Sequence, residues 1–163
     1  GEYNLRRQQC EDAARHYGVA ALRDLEEKGL LASQDGLELA AFKRARHVVT
    51  ENARVLAAAG AMRNADLEML GQLMAESHVS MRDDFAITTQ KIDELVLLLQ
   101  TAIGPVGGAR MTGGGFGGSA VALVSRPEAE RIGAAVVRAF ERSGYAAPEV
   151  FAVEPGPGAR RDA

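Results

Sequence analysis

Five glycines occupy the six positions from Gly113 to Gly118, and this run limits the fold of the chain more than any other feature. Glycine has no Cβ atom, so it adopts positive φ angles freely and lets another group approach the backbone closely. Ordering so many glycines costs conformational entropy, and a flexible linker usually mixes glycine with serine. Here apolar segments flank the run, and Phe116 lies inside it. We therefore interpret residues 113–118 as a folded loop whose N–H groups face a ligand such as an anion.

The segments on either side of this loop distinguish between glycine-rich motifs. Gly113, Gly115 and Gly118 match the pattern G-x-G-x-x-G, which binds dinucleotides where a strand precedes it and a helix follows. Residues 119–124 are short, apolar and partly β-branched, and together with residues 109–112 they predict a strand on each side of the loop. This context excludes the dinucleotide motif, and the lack of a following Gly-Lys-Ser/Thr excludes a Walker A loop. A glycine-rich hairpin without a ligand fits the composition equally well.

The rest of the chain is dominated by apolar residues at helical spacing. Two long helices with a short connection predict an antiparallel αα-hairpin. Residues 19–36 predict a connection with one short helical turn, residues 149–153 a third strand, and the segment from about residue 155 a tail. The predicted helices cover about residues 4–17, 37–59, 66–81, 89–101 and 127–142.

This order of elements predicts an α+β fold. Helices come first, followed by strand, loop, strand, helix and strand, which is half of a ferredoxin-like plait. The sheet should be mainly antiparallel, and the long αα-hairpin is an addition to the plait. A plait has four strands, whereas three can be identified here, so we expect a three-stranded sheet with an open edge. Because an open edge favours association, we expect a second copy or another part of the protein to cover it.

Composition excludes several classes of function. The chain has 163 residues, of which 47% are apolar, so it is long enough to fold around a core. Its net charge of −3 argues against nucleic-acid binding, which needs a basic excess. Cys10 is the one cysteine of the sequence, which excludes an internal disulfide and fits a reducing cytoplasm. No apolar run approaches the length of a membrane span.

Several polar groups are interpreted as structural. Arg6 on the first helix and the basic run 43–46 are interpreted as solvated faces, and His47 as a packing or surface residue. Residues 82–84, Arg-Asp-Asp, are interpreted as charge at a helix end. No histidine or further carboxylate lies at ligand spacing near residues 82–84, and the three histidines lie far apart in the sequence, so we predict no metal site.

Residues 109–124, ARMTGGGFGGSAVALV, resemble the third conserved motif of the GHMP kinases, most closely the galactokinase version. The stretches GEYNLRRQQCEDAA, KRARHVVTENARVLAAA and LMAESHVSMRDDF also resemble galactokinases, in register, so the resemblance covers nearly the whole chain. Ser119 stands where galactokinases usually carry cysteine. This departure is small and should leave the backbone of the loop unchanged.

The resemblance implies that residues 1–163 are the C-terminal domain of a galactokinase, with the first plait strand lying before Gly1. Galactokinases phosphorylate galactose to galactose 1-phosphate with ATP and Mg²⁺. The catalytic residues, the ATP loop and most sugar contacts belong to the N-terminal domain, which we expect to be absent from this chain. The chain alone should therefore be inactive, and no residue of it is assigned as catalytic or as a Mg²⁺ ligand.

The resemblance also implies the roles of particular residues. Tyr3 would contact the sugar, for which a phenol offers an apolar face and a hydroxyl. Met111 and Thr112 would set the entry to the loop. The residues that would hold the phosphate region, or support the neighbouring ATP loop, are Thr112, Gly113, Gly114, Gly115, Phe116, Gly117, Gly118 and Ser119. The expected partners are galactose and ATP, together with the missing N-terminal domain.

Two other functions are retained as alternatives. The chain could be a freestanding ferredoxin-like module that binds a small metabolite at its glycine loop. It could also belong to another GHMP kinase that acts on a different small alcohol.

Overall fold

The computed structural model describes residues 1–32, 35–154, 156, 158 and 161. It has an α+β fold, as the order of sequence elements predicted. A 3₁₀ turn at Leu22–Asp24 and a π-helical turn at Met81–Phe85 accompany the regular elements. These are α1 (Glu2–His16), α2 (Glu27–Ala32), α3 (Leu39–Arg63), α4 (Leu67–Ser80), α5 (Gln90–Ile103), β1 (Gly108–Thr112), β2 (Ser119–Leu123) and α6 (Arg126–Arg142). Within the described ranges, no helix combines the length and the apolar character that crossing a membrane would require.

The predicted αα-hairpin is formed by α3 and α4. Asp66 caps α4 by accepting a hydrogen bond from the Met69 amide at 2.9 Å. His47 Nδ1 lies 2.9 Å from Ser80 Oγ, and one turn further along α3 the Glu51 carboxylate accepts a hydrogen bond from Ser77 Oγ. Because residue numbers rise on α3 as they fall on α4, the two helices run antiparallel.

The sheet is an antiparallel hairpin. Gly108 lies opposite Leu123, and Thr112 lies opposite Ser119, so the glycine-rich loop closes the end of the hairpin. Helices α4 and α5 pack against β1, and α6 packs against α5. One core cluster lies beneath the hairpin and contains Met81, Ile92, Val96, Ala109 and Met111. A second cluster joins α1, α2 and α3 and contains Ala13, Ala14, Leu22, Leu30, Ala41, Ala45 and Val49.

The predicted third strand at residues 149–153 is wrong. This segment forms no strand, and its apolar side chains Phe151 and Val153 are 74% and 72% exposed. Val150 lies beside Gly133 of α6 instead of in a sheet. A strand obtains its backbone hydrogen bonds from a neighbouring strand, and in a plait the last strand pairs with the first. No described segment takes that first position, so residues 149–153 have no partner.

Two parts of the sequence predictions fall outside the described residues. Residues 33 and 34 belong to the predicted connection 19–36, which otherwise contains α2 and the 3₁₀ turn. The predicted tail from about residue 155 lies largely outside as well.

The position of β1 depends on a close approach between two backbones. Gly71 of α4 lies so near Gly107 that a Cβ atom at position 71 would fall 1.8 Å from the Gly107 carbonyl oxygen. A Cβ atom on Gly108 would likewise fall 2.7 Å from the Gly71 Cα atom, so a side chain at position 71 or 108 would push the strand away from the helix. These glycines therefore set how deeply β1, and the loop that follows it, sits on α4.

Candidate functional site

The glycine-rich loop, residues 113–118, adopts a backbone that most amino acids avoid. The φ angles are +93° at Gly113, +85° at Gly115, +128° at Gly117 and +95° at Gly118. Side chains with a Cβ atom rarely occupy this region, which explains why glycine fills most of the loop. Phe116 also has a positive φ, of +59°, so its left-handed conformation must be held by its surroundings.

Part of the loop is open and carries free hydrogen-bond donors. The backbone N–H groups of Gly114, Gly115 and Gly117 donate to no acceptor among the described residues. A Cβ atom on Gly114 or Gly117 would meet nothing within 4 Å. Unpaired amides in a loop with open space around them suit the oxygen atoms of an anion.

The loop is fixed by one residue that the sequence did not single out. The Phe116 N–H donates to the Ile87 carbonyl oxygen at 2.6 Å. A Cβ atom on Gly115 would lie 2.8 Å from both Ile87 Cβ and the same carbonyl oxygen. Gly115 is therefore required for the loop to reach Ile87.

Ile87 ends a short segment whose carbonyl groups all point to donors from other elements. We call residues 84–87, which end the π-helical turn and follow it, the anchor turn. Carbonyls at the end of a helix lack partners within the helix, and here guanidinium groups and the loop supply them. The donors are Arg44 for Asp84, Arg6 for Phe85 (2.9 Å) and Ala86 (2.8 Å), and the Phe116 amide for Ile87.

Tyr3 lies on the first turn of α1 and is 70% exposed. Arg6 follows three residues later, so the two side chains are neighbours on one side of the helix. The Arg6 guanidinium carbon lies 5.6 Å from the centre of the Phe116 ring. The structure thus brings the start of α1 next to the glycine-rich loop. The sugar contact of Tyr3 stays a prediction.

Thr112 and Ser119 form the neck of the loop. They lie opposite each other at the end of the hairpin, and both are exposed. Met111, by contrast, is fully buried beneath the hairpin. The entry to the loop is therefore anchored in the core on one side and accessible on the other.

A buried histidine holds the strand that enters the loop. The Met111 N–H donates to His78 Nδ1 at 3.3 Å, so the proton of the neutral ring belongs on Nε2. His78 Nε2 lies 3.2 Å from Asp93 Oδ1 on α5, although the angle is unfavourable for a hydrogen bond. Burial lowers the pKa of His78, which agrees with a neutral ring that accepts from Met111.

The arginines around the anchor turn correct the sequence analysis. Arg6 and Arg44 are buried, not solvated, and Arg46 pairs with the buried carboxylate of Asp84. Burial lowers the pKa of Arg44, whereas the hydrogen bond to Asp84 raises the pKa of Arg46. A signal was present in the sequence, because Arg6 and Arg44 both fall on the apolar stripe of their helix. His47 is buried against Ser80 and Phe85, as a packing residue.

The described residues contain no cluster of three or more side chains that could hold a metal ion. Asp83 pairs with the adjacent Arg82 at 2.8 Å, and this hydrogen bond lowers the pKa of Asp83. That arrangement is the helix-end charge predicted from sequence. Two surface grooves, of about 490 and 250 Å³, lie along α4, one beside α3 and one beside α5. Neither is lined by the glycine-rich loop.

Two comparisons with known proteins place the chain in a family. The sequence model of the family described as "GHMP kinases C terminal" matches residues 58–142, which contain the anchor turn and the glycine-rich loop. The fold is similar to that of Lactococcus lactis galactokinase, solved in complex with galactose, with a TM-score of 0.84 and 33% sequence identity. That match covers 91% of this chain and 39% of the galactokinase chain.

The chain therefore spans well under half of the length of the galactokinase that it matches. Its hairpin, its glycine-rich loop and the helices that support them agree with an α+β fold of this kind. The family match covers more than half of the sequence, and on this evidence the chain belongs to the family of GHMP kinase C-terminal domains.

Proposed function

We propose that this chain is the C-terminal part of a galactokinase, an enzyme that transfers the γ-phosphoryl group of ATP to the 1-hydroxyl of galactose. The observation that carries the proposal is the glycine-rich loop, which is fixed to Ile87 and in which the amides of Gly114, Gly115 and Gly117 donate to no described residue. The likeness to a galactokinase over 91% of the chain supports galactose as the substrate.

Phosphoryl transfer depends on positioning and on stabilising negative charge more than on covalent chemistry by the protein. The amides of Gly114, Gly115 and Gly117 are suited to this task, because they are fixed in place before any ligand arrives. In this proposal they hold phosphate oxygens directly, or they support the ATP loop of the N-terminal domain. Tyr3, which is exposed on the first turn of α1, contacts the sugar.

The chain supplies positioning groups only. In this proposal a Mg²⁺ ion would be held by ATP and by the N-terminal domain. When bound, Mg²⁺ neutralises phosphate charge. The chain alone should bind ATP weakly and should not catalyse the reaction. The single cysteine fits an enzyme of the reducing cytoplasm.

Two alternatives differ in what the loop binds. A freestanding ferredoxin-like module would bind a small metabolite at the loop without any further domain. Another GHMP kinase would use the same loop for a different small alcohol. The coding sequence upstream of Gly1 separates the first alternative from a kinase, because a kinase requires an upstream domain with an ATP loop and a module does not.

The test uses the chain alone and the longest protein that its gene encodes. Calorimetry measures binding of ATP–Mg²⁺ and of galactose to each, and a coupled assay measures ADP release with galactose and with other small alcohols. We expect weak binding by the chain alone and galactose-dependent ADP release by the longer protein.

Variants tie the activity to the site. Tyr3→Phe should raise the KM for galactose, and Gly115→Val should abolish activity, whereas Arg7→Gln, which removes an exposed pair with Glu11, should have a small effect. Tight binding of a small metabolite by the chain alone, without ADP release by the longer protein, would favour the module. Release with another alcohol but not with galactose would favour a different GHMP kinase.

A further inference from the structure

Arg6 contacts three separate parts of the candidate site. Its Nε and Nη2 atoms donate to the carbonyl oxygens of Phe85 and Ala86, at 2.9 and 2.8 Å. Its Nη1 atom donates to the Glu2 carboxylate at 3.0 Å, next to Tyr3 in the first turn of α1. The face of the guanidinium lies over the ring of Phe116 in the loop. Every nitrogen of this side chain therefore has a protein partner.

A short path leads from Arg6 to the amides of the loop. Ala86, which accepts from Arg6, is followed directly by Ile87, which accepts from the Phe116 amide. The start of α1 and the glycine-rich loop are thus both attached to the anchor turn. Since Tyr3 lies on the same side of α1 as Arg6, the anchor turn also sets the separation between Tyr3 and the loop.

Only a guanidinium can make this set of contacts. Its donors point in fixed directions in one plane, and it stacks on an aromatic ring, whereas a lysine ammonium is a compact charge on a flexible stem. Arg6 is 9% exposed, and the cost of burying its charge is offset by two carbonyls at the end of a helical turn and by Glu2. Its neighbour Arg7 offers a matched control, because it is exposed and pairs with Glu11 on the same helix.

We propose that Arg6 is a positioning residue that holds the glycine-rich loop at a fixed separation from Tyr3 through the anchor turn. The inference rests on the proposed function for what the loop and Tyr3 bind, but not for the coupling itself. Arg6 contacts carbonyl oxygens and a ring, so it acts through the loop and not on the reacting atoms. If Arg6 served only general stability, its removal would loosen the whole hairpin to the same extent.

The coupling is tested by hydrogen exchange of single amides, measured by NMR on the chain. In Arg6→Gln and in Arg6→Lys, the Phe116 amide should exchange about tenfold faster than in the wild type, as expected for the loss of charge-assisted hydrogen bonds that hold its acceptor. The Met111 amide, which donates to His78 and not to the anchor turn, should change by less than about twofold. Arg7→Gln should leave both amides unchanged.

Two results would overturn the proposal. One is an unchanged Phe116 amide in both Arg6 variants, and the other is an equal acceleration of Phe116 and Met111, which indicates general destabilisation. If Arg6→Gln does not fold, Arg6→Lys keeps the charge and decides the question. The lysine variant also separates the geometry of the fork from the charge, because an unchanged Phe116 amide in Arg6→Lys would contradict the requirement for a guanidinium.

Kinetics of the longer protein then link the coupling to activity. Arg6→Lys should lower kcat by about tenfold, since misplacing a positioned group costs rate more than binding, and Arg7→Gln should not. The double variant with Arg6→Lys and Gly115→Ala should lower kcat by less than the product of the two single-variant factors, because both substitutions act through Ile87. A longer protein that does not phosphorylate galactose contradicts the proposed function and leaves the exchange result standing. Normal kcat and KM values in Arg6→Lys would contradict the positioning role of Arg6 but not the proposed function.

Discussion

The Phe116 amide donates to the Ile87 carbonyl oxygen across 2.6 Å, and this bond connects the glycine-rich loop to the anchor turn. It forms only because Gly115 has no side chain, since a Cβ atom there would lie 2.8 Å from the same oxygen. Phe116 has a left-handed backbone, with φ of +59°, which costs about 1 kcal/mol or more in a residue that has a side chain. The bond to Ile87 and the contact with Arg6 together keep Phe116 in this conformation.

Replacing Gly115 with alanine should detach the loop from the anchor turn. The added methyl group collides with Ile87, and the φ of +85° is unfavourable for alanine, so we expect a loss of about 2 kcal/mol in the free energy of unfolding. Chemical denaturation measures this loss, and faster exchange of the Phe116 amide would locate it.

Gly114→Ala is the matched control for that variant. Gly114 has no positive φ, and a Cβ atom there meets nothing within 4 Å. Its free energy of unfolding should stay within about 0.5 kcal/mol of the wild type. Equal losses in the two variants would mean that the contact with Ile87 contributes nothing.

Replacing Gly71 with alanine should separate β1 from α4. The methyl group would fall 1.8 Å from the Gly107 carbonyl oxygen, which belongs to backbone and cannot rotate away. We expect a loss of about 3 kcal/mol in the free energy of unfolding. Gly60→Ala on α3 should have the opposite sign, a gain of up to about 1 kcal/mol, because that helical site has open space. A neutral Gly71→Ala variant would contradict the close approach of the two backbones.

Lowering the pH should reduce the free energy of unfolding, because His78 accepts a hydrogen bond from β1 only when its ring is neutral. Burial lowers the pKa of His78 in the folded protein, while the unfolded chain keeps an ordinary pKa near 6.5. Above that pH both states are neutral. As the pH falls below it, the unfolded state takes up a proton and the folded state does not, so the free energy of unfolding decreases until the lowered pKa of the folded state is reached. Denaturation at a series of pH values between about 7.5 and 5 measures this decrease.

His78→Asn isolates the contribution of that ring. The asparagine oxygen can accept from the Met111 amide but does not titrate, so the pH dependence should become flatter. Burial also lowers the pKa of His47, which hydrogen-bonds with Ser80, and His47→Gln should remove a second part of the slope. A slope that His78→Asn does not alter would exclude His78 as its source.

Glu51 should contribute far more to the free energy of unfolding than an exposed carboxylate does. Its carboxylate accepts hydrogen bonds from Ser77 at 2.5 Å, Arg54 at 2.8 Å and Arg110 at 3.1 Å, which joins the αα-hairpin to β1. Burial raises the pKa of Glu51, but the bonds from Ser77 and Arg54 outweigh it and lower the pKa overall. The stability that Glu51 supplies is therefore present above about pH 4.5 and is lost on acidification through the lowered value.

Glu51→Ala should reduce the free energy of unfolding at neutral pH by about 3 kcal/mol, because Arg54 and Arg110 lose the carboxylate that neutralises their charge. Glu11→Ala removes an exposed pair with Arg7 and should cost less than about 0.5 kcal/mol. Urea denaturation of the two variants compares them directly. Similar losses would show that the partial burial of Glu51 adds nothing to its ion pairs.

Local patterns in the sequence determined the elements of this fold and the place of its loop. Helical spacing of apolar residues predicted α3 to α6, and the change from helical spacing to a short apolar run predicted β1 and β2. The starts of two helices are also local features, because Asp66 and Thr89 accept hydrogen bonds from backbone amides at the starts of α4 and α5. These features depend on residues a few positions apart, and the same short-range information carried the resemblance to GHMP kinases.

The tertiary structure decided which polar residues serve the site. Arg6 and Asp84 look like ordinary surface charges, and Ile87 looks like any core residue, yet each takes part in the contacts by which α1, α3 and the glycine-rich loop are attached to the anchor turn. Some of these contacts join distant positions, since Arg6 and Phe85 are 79 residues apart in the chain. Single-sequence patterns contain no information about such distant neighbours beyond the position of an arginine on an apolar stripe.

The predicted third strand shows the same limit of prediction from sequence, here for a strand and not for a polar contact. Residues 149–153 have the composition of a strand, which the sequence determined by itself, but they form none in the described structure. Whether such a segment joins a sheet depends on a partner strand that supplies its backbone hydrogen bonds. Composition is a property of the segment, whereas pairing is a property of its neighbours in space, and only the tertiary structure decided that.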